Sequence, residues 1–315
     1  MTQAFHYAAF GRRIWSDLPL HLPAAPETSD PDLHVVIGAA HPDPYALPQE
    51  RISAYLSLAV LAPDHWLLLC HAAELADKAV ISVKPQQIMV DWSGSSRLAD
   101  VAQLVLTIGF AAHAYVSGGV CLHGCAIAAG DHAAMFVGDS GAGKSSLTAA
   151  LIAAGGRLLS EEIVIPAADP LQLRSGPEGV KISPAFAQRF GLQGNIRPAF
   201  EHPLLLDEGV VWTPPATSHP RADATLQQVY ILEPRNQDKA LQLSPRLSFD
   251  QAAPLLARSG YWYRVLAADL HRRLAEWGFR VATRCQVHRL SLPDDLALLP
   301  HCAADLIARI KAAAD

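Results

Sequence analysis

The chain has 315 residues, half of them hydrophobic, with a formal net charge of -5 and five cysteines. That length and apolar content suit one large domain or two modest ones. The acidic balance argues against a general nucleic-acid binder, whose affinity would come from a basic surface. Cys70, Cys121, Cys125, Cys285 and Cys302 form no dense framework, which fits reduced thiols in a cytoplasmic protein.

Met1 to Phe10 has no basic segment followed by an apolar one, so no secretion signal is expected. Tyr7 to Leu20 reads as a short strand running into a loop through Pro23, Pro26 and Pro31. Leu33–Ile37, Trp66–Cys70, Ala79–Val83 and Gln87–Asp91 are further β-prone runs separated by turn residues. Residues 1–96 therefore read as a small mixed-sheet domain without recognisable chemistry; a lid, an oligomer surface and a recognition module all fit. From Arg97 to Tyr115, Leu98, Val101, Leu104, Val105, Ile108 and Ala112 recur at helical spacing and predict an amphipathic helix leading into a second domain, 97–315. The apolar stretch Val101 to Gly130 is broken by Gln103, His113, Ser117-Gly118-Gly119 and His123, so a buried helix and strand are expected, not a membrane span.

Val120 to Ala129 reads as a strand, turned back at Gly130-Asp131-His132 into a second strand, Ala133–Val137. The stretch immediately after this strand is the most informative of the chain. Gly138-Asp139-Ser140-Gly141-Ala142-Gly143-Lys144-Ser145-Ser146 has the form G-x-x-x-x-G-K-S, and Ser146 to Ala154 is strongly helix-forming. Strand, glycine loop and helix together are the context of a nucleotide-binding phosphate loop. The glycines let successive N–H groups face phosphate oxygens, and the helix aims its positive end at the same place. Lys144 would meet the β- and γ-phosphates, and the Ser145 hydroxyl would meet Mg²⁺.

Gly155-Gly156 stops the helix, and Arg157 to Ile165 reads as a strand interrupted by Glu161-Glu162. Two adjacent carboxylates within an apolar run cost stability unless something, such as a metal, compensates them. Beyond 166 come a proline- and glycine-rich stretch, a short helix at Pro184 to Phe190, a strand at Thr225 to Glu233 and helices at Phe249 to Arg258 and Tyr261 to Trp277. A strand through Val281, Thr283, Cys285 and Val287 and a last helix from Asp294 to Ala313 complete the chain.

Two acidic pairs compete as Mg²⁺ partner. Asp207-Glu208 follows the apolar run Leu204-Leu205-Leu206, but Gly209 and Val210-Val211-Trp212 come next and suggest a hairpin turn. Glu161-Glu162 lies one helix and one turn beyond the loop, on a strand expected beside the loop strand, and is preferred. Cys121, His123 and Cys125 share one face of a strand; zinc there would need a fourth ligand from elsewhere, so two buried thiols flanking a polar residue is the simpler reading. Arg157, Arg174, Arg197 and Arg258 are candidate partners of a transferring phosphoryl group, with no spacing that singles one out. Tyr261-Trp262-Tyr263 reads as the packed start of a helix.

His123-Gly124, the Gly138–Ser145 loop and Gly156-Arg157-Leu158-Leu159-Ser160-Glu161-Glu162 together resemble the HPr kinase/phosphorylase family, whose domain is related in fold to the ATP-using phosphoenolpyruvate carboxykinases. The resemblance covers roughly residues 120–165. Phe10-Gly11 and Ser16-Asp17-Leu18-Pro19-Leu20 resemble, more loosely, the stand-alone HPr-kinase-like proteins of peptide-modification gene clusters, some of which, the lasso-peptide kinases, phosphorylate a serine of a precursor peptide. The resemblance implies an α/β fold with a P-loop domain of HPr kinase type, ATP and Mg²⁺ as cofactors, and a peptide or small-protein substrate with an acceptor serine. By it His123 stands for the family's catalytic histidine and Glu161 and Glu162 for its paired aspartates.

The chain departs from that pattern in three respects. Glu161-Glu162 replaces Asp-Asp, Ser146 replaces a common glutamate, and the downstream signature associated with phosphorylase activity is absent. The reverse reaction, and HPr itself as substrate, do not follow. A serine kinase in the cytoplasm, with no nucleic-acid or membrane partner and open to homo-oligomerisation, is the leading expectation. A small-metabolite kinase and a non-catalytic nucleotide-binding regulator are the alternatives.

Overall fold

A computed structural model describes residues 4–27, 30–71, 78–93, 98–199, 209–215 and 223–312. The chain is a mixed α/β protein with several mixed sheets, divided into two compact units: Met1–Gly119 with Ile196–Val211, and Val120–Asn195 with Trp212–Asp315. The boundary expected at residue 96 differs from this one, because the helix after it packs within the first unit.

The first unit is built on an eight-stranded sheet of β1 (Phe5–Ala9), β2 (Arg12–Ser16), β3 (Leu33–Ile37), β4 (Glu50–Arg51), β5 (Leu56–Ala62), β6 (His65–His71), β7 (Lys78–Lys84) and β8 (Gln87–Ser93), in the order β1-β2-β3-β8-β7-β6-β5-β4. The single strand read from Tyr7 onward is a hairpin instead. Phe10 and Gly11 both take positive φ (51° and 70°), the paired left-handed geometry of a tight two-residue turn. Strand β5 is absent from the sequence-based expectation. Trp66, Leu67, Leu68 and Leu69 are all buried because β6 is covered on both faces, so it shows no alternation. One side meets Ala59, Val80, Ala40 and Leu47; the other meets the helix through Trp66 stacked on Tyr115 at 5.9 Å.

That helix runs as α1 (Leu98–Leu104), a π-turn over Val105–Gly109 and α2 (Phe110–Val116), ending at Gly118 with φ 85°. Residues 98–116 are long and apolar enough to cross a bilayer by length and composition alone, yet they are mostly buried against the unit's own core. His113 there bonds to the Pro85 carbonyl at 2.9 Å, and burial lowers its pKa to about 4, so it packs as a neutral ring.

The second unit contains β9 (Leu122–Ala129), β10 (His132–Val137), α3 (Lys144–Ala153), β11 (Arg157–Ser160), β12 (Ile163–Val164), β13 (Gln172–Leu173), β14 (Val180–Ile182) and α4 (Pro184–Arg189). β15 (Asn195–Pro198) and β16 (Val210–Thr213) fall where the chain passes between the two units, and the second unit continues with β17 (Ala224–Leu232), β18 (Gln242–Leu243), α5 (Phe249–Arg258), α6 (Ala268–Arg284), β19 (Gln286–Ser291) and α7 (Leu299–Ala312). Its sheet runs β11-β9-β10-β17-β19-β18, with β12 extending along β9 and β13 along β17. The central strands β10, β17 and β19 are parallel, and Phe136 stacks on its register partner Tyr230 at 5.1 Å in a fully buried core.

Two expectations fail here. Tyr261 does not begin a helix: Leu122 pairs with Gly260, and α6 starts only at Ala268. Val281 and Thr283 lie in α6, whose amphipathic pattern outruns the short alternating one, and the strand begins at Gln286.

Candidate functional site

The loop between β10 and α3 is explained by the sequence step by step. The hairpin β9–β10 brings Gly124 opposite Val137, so closely that a Cβ at Gly124 would stand 2.6 Å from the Phe136 carbonyl oxygen. Only glycine allows that approach. The chain then leaves the sheet through Gly138, Gly141 and Gly143, with φ of 157°, 84° and 92°; the last two lie in the left-handed region that glycine occupies without penalty. Gly143 caps α3, and Leu147 N–H reaches back to the Gly143 carbonyl at 2.9 Å to close the first turn.

Among the described residues, the backbone N–H groups of Gly141, Gly143, Lys144, Ser145 and Ser146 donate to no main-chain carbonyl. They belong to the loop and the first helical turn, where donors lack partners and the helix dipole is positive. Asp139 and Ser140 are exposed at the loop tip, and Ala142 N–H turns back to the Asp139 carbonyl at 3.2 Å. Lys144 is buried, with Nζ donating to the Gly138 and Asp139 carbonyls at 2.8 and 2.9 Å. Desolvation lowers its pKa. This lysine lies folded over the loop it belongs to, in position to exchange those carbonyls for an anion's oxygens.

Glu161 and Glu162 both reach this region, by a route the sequence did not suggest. Strand β11 is not the neighbour of β10; β9 lies between them. After Ser160 the chain makes a γ-turn. Ile163 N–H donates to the Glu161 carbonyl at 2.9 Å, and Glu162 sits at φ 69°, a conformation that costs a side-chain-bearing residue about 1–3 kcal/mol. The turn lets β12 resume along β9 at the level of His123 and splays the two carboxylates. Glu161 is buried and accepts from Ser145 Oγ at 2.6 Å. Burial, and then the charge of Glu162, raises its pKa to about 7, against the hydrogen bonds from Ser145 and the Lys181 N–H. Glu162 instead accepts a hydrogen bond from the Tyr261 hydroxyl, whose pKa is pushed well up, first by desolvation and then by the Glu162 charge.

His123 lies on β9, directly beside the loop strand β10. Its backbone N–H donates to the Ser259 carbonyl at 2.8 Å, Tyr261 N–H donates to the Cys121 carbonyl at 2.8 Å, and the His123 and Tyr261 rings meet edge-on at 5.7 Å. Desolvation, then the Lys144 charge, lowers the His123 pKa to about 4, so the imidazole is neutral and able to accept a proton-bearing partner. Cys121 and Cys125 are buried thiols with raised pKa, Cys125 to about 12. Among the described residues no group of three or more His, Cys, Asp or Glu side chains is arranged to hold a metal by itself.

The candidate arginines have no shown contact with the loop among the described residues, and Arg258 precedes Ser259, whose carbonyl meets His123. Arg174 pairs with Asp223 at 3.5 Å, Arg197 belongs to the first unit and donates to Gln103, and Arg157 opens β11 opposite Ala128, at the end of the strand away from the loop. Arg258 is an exposed residue at the end of α5. Asp207 and Glu208 lie outside the described residues. The residues that sequence reading missed are Tyr261, Lys181 and Arg235. Gly260 gave a faint signal for the first, since a glycine before an aromatic triplet breaks a helix as readily as it precedes one. Arg235 comes after β17, and its guanidinium Nη2 stands 2.8 Å from where a Cβ on Gly143 would be.

The donors fit a polyphosphate: unpartnered N–H groups on a glycine loop, a lysine beside them and a helix N-terminus behind them. The Ser145–Glu161 pair fits Mg²⁺, which takes one or two carboxylates and completes its octahedron with phosphate oxygens and water. A scan of protein-family models and a search of curated proteins both return no match to this chain.

Proposed function

We propose that the chain is an ATP- and Mg²⁺-dependent kinase that transfers the γ-phosphoryl group to a serine hydroxyl of a peptide or small protein, with its second unit a P-loop domain of HPr kinase type. One observation carries the reading: Glu161, 16 residues beyond the loop serine, hydrogen-bonds to Ser145 where a phosphate loop keeps its metal. Bound there, MgATP supplies the phosphoryl group and the charge neutralisation of its transfer.

The chain's own groups divide the work. The N–H groups of Gly141, Gly143, Lys144, Ser145 and Ser146, with the Lys144 side chain, bind and orient phosphate oxygens; Ser145 and Glu161 hold the metal side. Glu162, held by Tyr261, takes the proton from the acceptor hydroxyl as the serine Oγ–P bond forms and the bond to the β-phosphate bridging oxygen breaks. Neutral His123 lines the same place and assists by accepting a hydrogen bond. The acceptor's class rests on the resemblance to peptide-modifying kinases, and its test is direct. Incubation with γ-labelled ATP and the small peptide encoded beside the gene should label a serine of that peptide. Label on small metabolites alone favours a metabolite kinase, and tight ATP binding without any transfer favours a regulator; either result ends the peptide-kinase reading.

A further inference from the structure

Among the described residues, Arg235 is a basic side chain from outside the loop that presses against it. It lies three residues past the end of β17, and β17 is the parallel neighbour of the loop strand β10, in register Val137 to Ile231. Parallel neighbours deliver their carboxyl ends to the same edge of a sheet, where ligands of such sheets bind. The guanidinium is oriented by a hydrogen bond from Nη1 to the Pro293 carbonyl at 3.2 Å, and Nη2 is set against the bare side of Gly143. A half-buried guanidinium has five donors, and one carbonyl occupies one of them. Among the described residues its one hydrogen bond goes to Pro293, and none joins it to the loop. Glu233, two residues earlier, is paired with Arg289 and does not neutralise it.

We infer that Arg235 is a second cation of the phosphate cradle and contacts the polyphosphate of the nucleotide held by the loop. A planar fork beside Gly143 bridges two oxygens of one phosphate, or oxygens of adjacent phosphates, and Gly143, a glycine for its left-handed φ of 92°, leaves the fork that space. Arg235 is thus a binding residue supplied by the end of β17, while the acid duty commonly found on the strand beside a phosphate loop falls to Glu161. The inference rests on the loop being a nucleotide site.

Calorimetric titration of the full chain with MgATP and with adenosine tests it. Arg235→Gln should weaken MgATP binding about tenfold or more, the scale of a lost charged hydrogen bond, and leave adenosine binding unchanged. Arg235→Lys, which keeps the charge but loses the fork, should fall between the two and reads the same quantity if the glutamine variant does not fold. MgATP affinity equal to wild type in these variants overturns the inference while leaving nucleotide binding intact. An equal loss for adenosine also overturns it, since the arginine would then be supporting the fold and not a phosphate. A wild-type chain that does not bind MgATP overturns both readings together.

Discussion

Ser145 Oγ and Glu161 Oε1 lie 2.6 Å apart, joining the first turn of α3 to the γ-turn that ends β11. The bond places a carboxyl group with a pKa raised to about 7, from an ordinary 4.5, at the expected metal position. Between those two values the folded chain holds a proton that the unfolded chain has lost, so folding stability falls as pH rises through that window. Metal binding, which needs the carboxylate, strengthens over the same range. Glu161→Gln should therefore raise the urea midpoint relative to wild type above pH 7 and abolish the pH dependence of Mg²⁺ affinity. Urea titrations at pH 5 and pH 8 with and without Mg²⁺ check both; a variant less stable than wild type at pH 8 would refute the assignment.

Tyr261 hydrogen-bonds to Glu162 and touches the His123 ring, so its hydroxyl is a positioning group for the proposed base. Tyr261→Phe retains the ring packing and removes the donor. Transfer should slow by up to about a hundredfold, the effect of a misplacement on the 1 Å scale, with MgATP affinity within twofold of wild type. A flattened pH profile of kcat, against an unchanged KM for ATP, separates this from a general loss of structure.

Much of the second unit was legible because it is local. The hairpin β9–β10, the glycine loop, α3 and the Gly155 stop are all encoded in consecutive residues. The Glu161-Glu162 pair stood out in the sequence as adjacent carboxylates in an apolar run, but its geometry did not: the expected neighbourhood of β11 and β10 is wrong, and the left-handed Glu162 and the β12–β9 pairing explain how the carboxylates arrive. Tyr261 was hidden because a strap pairing with Leu122 is a long-range event, while Tyr261-Trp262-Tyr263 looks locally like packing. In the first unit, β6 carries no alternation because both its faces are covered, and β5 escaped notice because Leu56–Ala62 is read equally well as helix or strand.

Glu162 stores backbone strain at the point where the base is proposed, and the strain and the carboxylate can be separated. Glu162→Gln removes the charge and keeps the strained φ of 69°, whereas Glu162→Gly removes both. Both should lose transfer by about a hundredfold or more. The glycine variant should be the more stable of the two by about 1 kcal/mol despite its higher unfolded-state entropy, because the relief falls in the 1–3 kcal/mol range of such conformations. Equal urea midpoints would show that the turn is unstrained.

Gly124 tests the scaffold below the loop without touching the reacting groups. A methyl group there would meet the Phe136 carbonyl oxygen at 2.6 Å and Val137 Cγ1 at 3.0 Å, and neither can retreat, since both residues are buried in the centre of the sheet. Gly124→Ala should therefore cost about 1–3 kcal/mol through a widened β9–β10 ladder. Because β10 feeds Gly138 and β9 carries His123 and pairs with β12, the same widening moves the loop away from the acidic turn. Nucleotide affinity and transfer should then fall together, unlike in the Tyr261 variant, where they part. Retention of wild-type transfer in a Gly124→Ala protein of reduced stability would show that the spacing of β9 and β10 does not set the distance between Ser145 and Glu161.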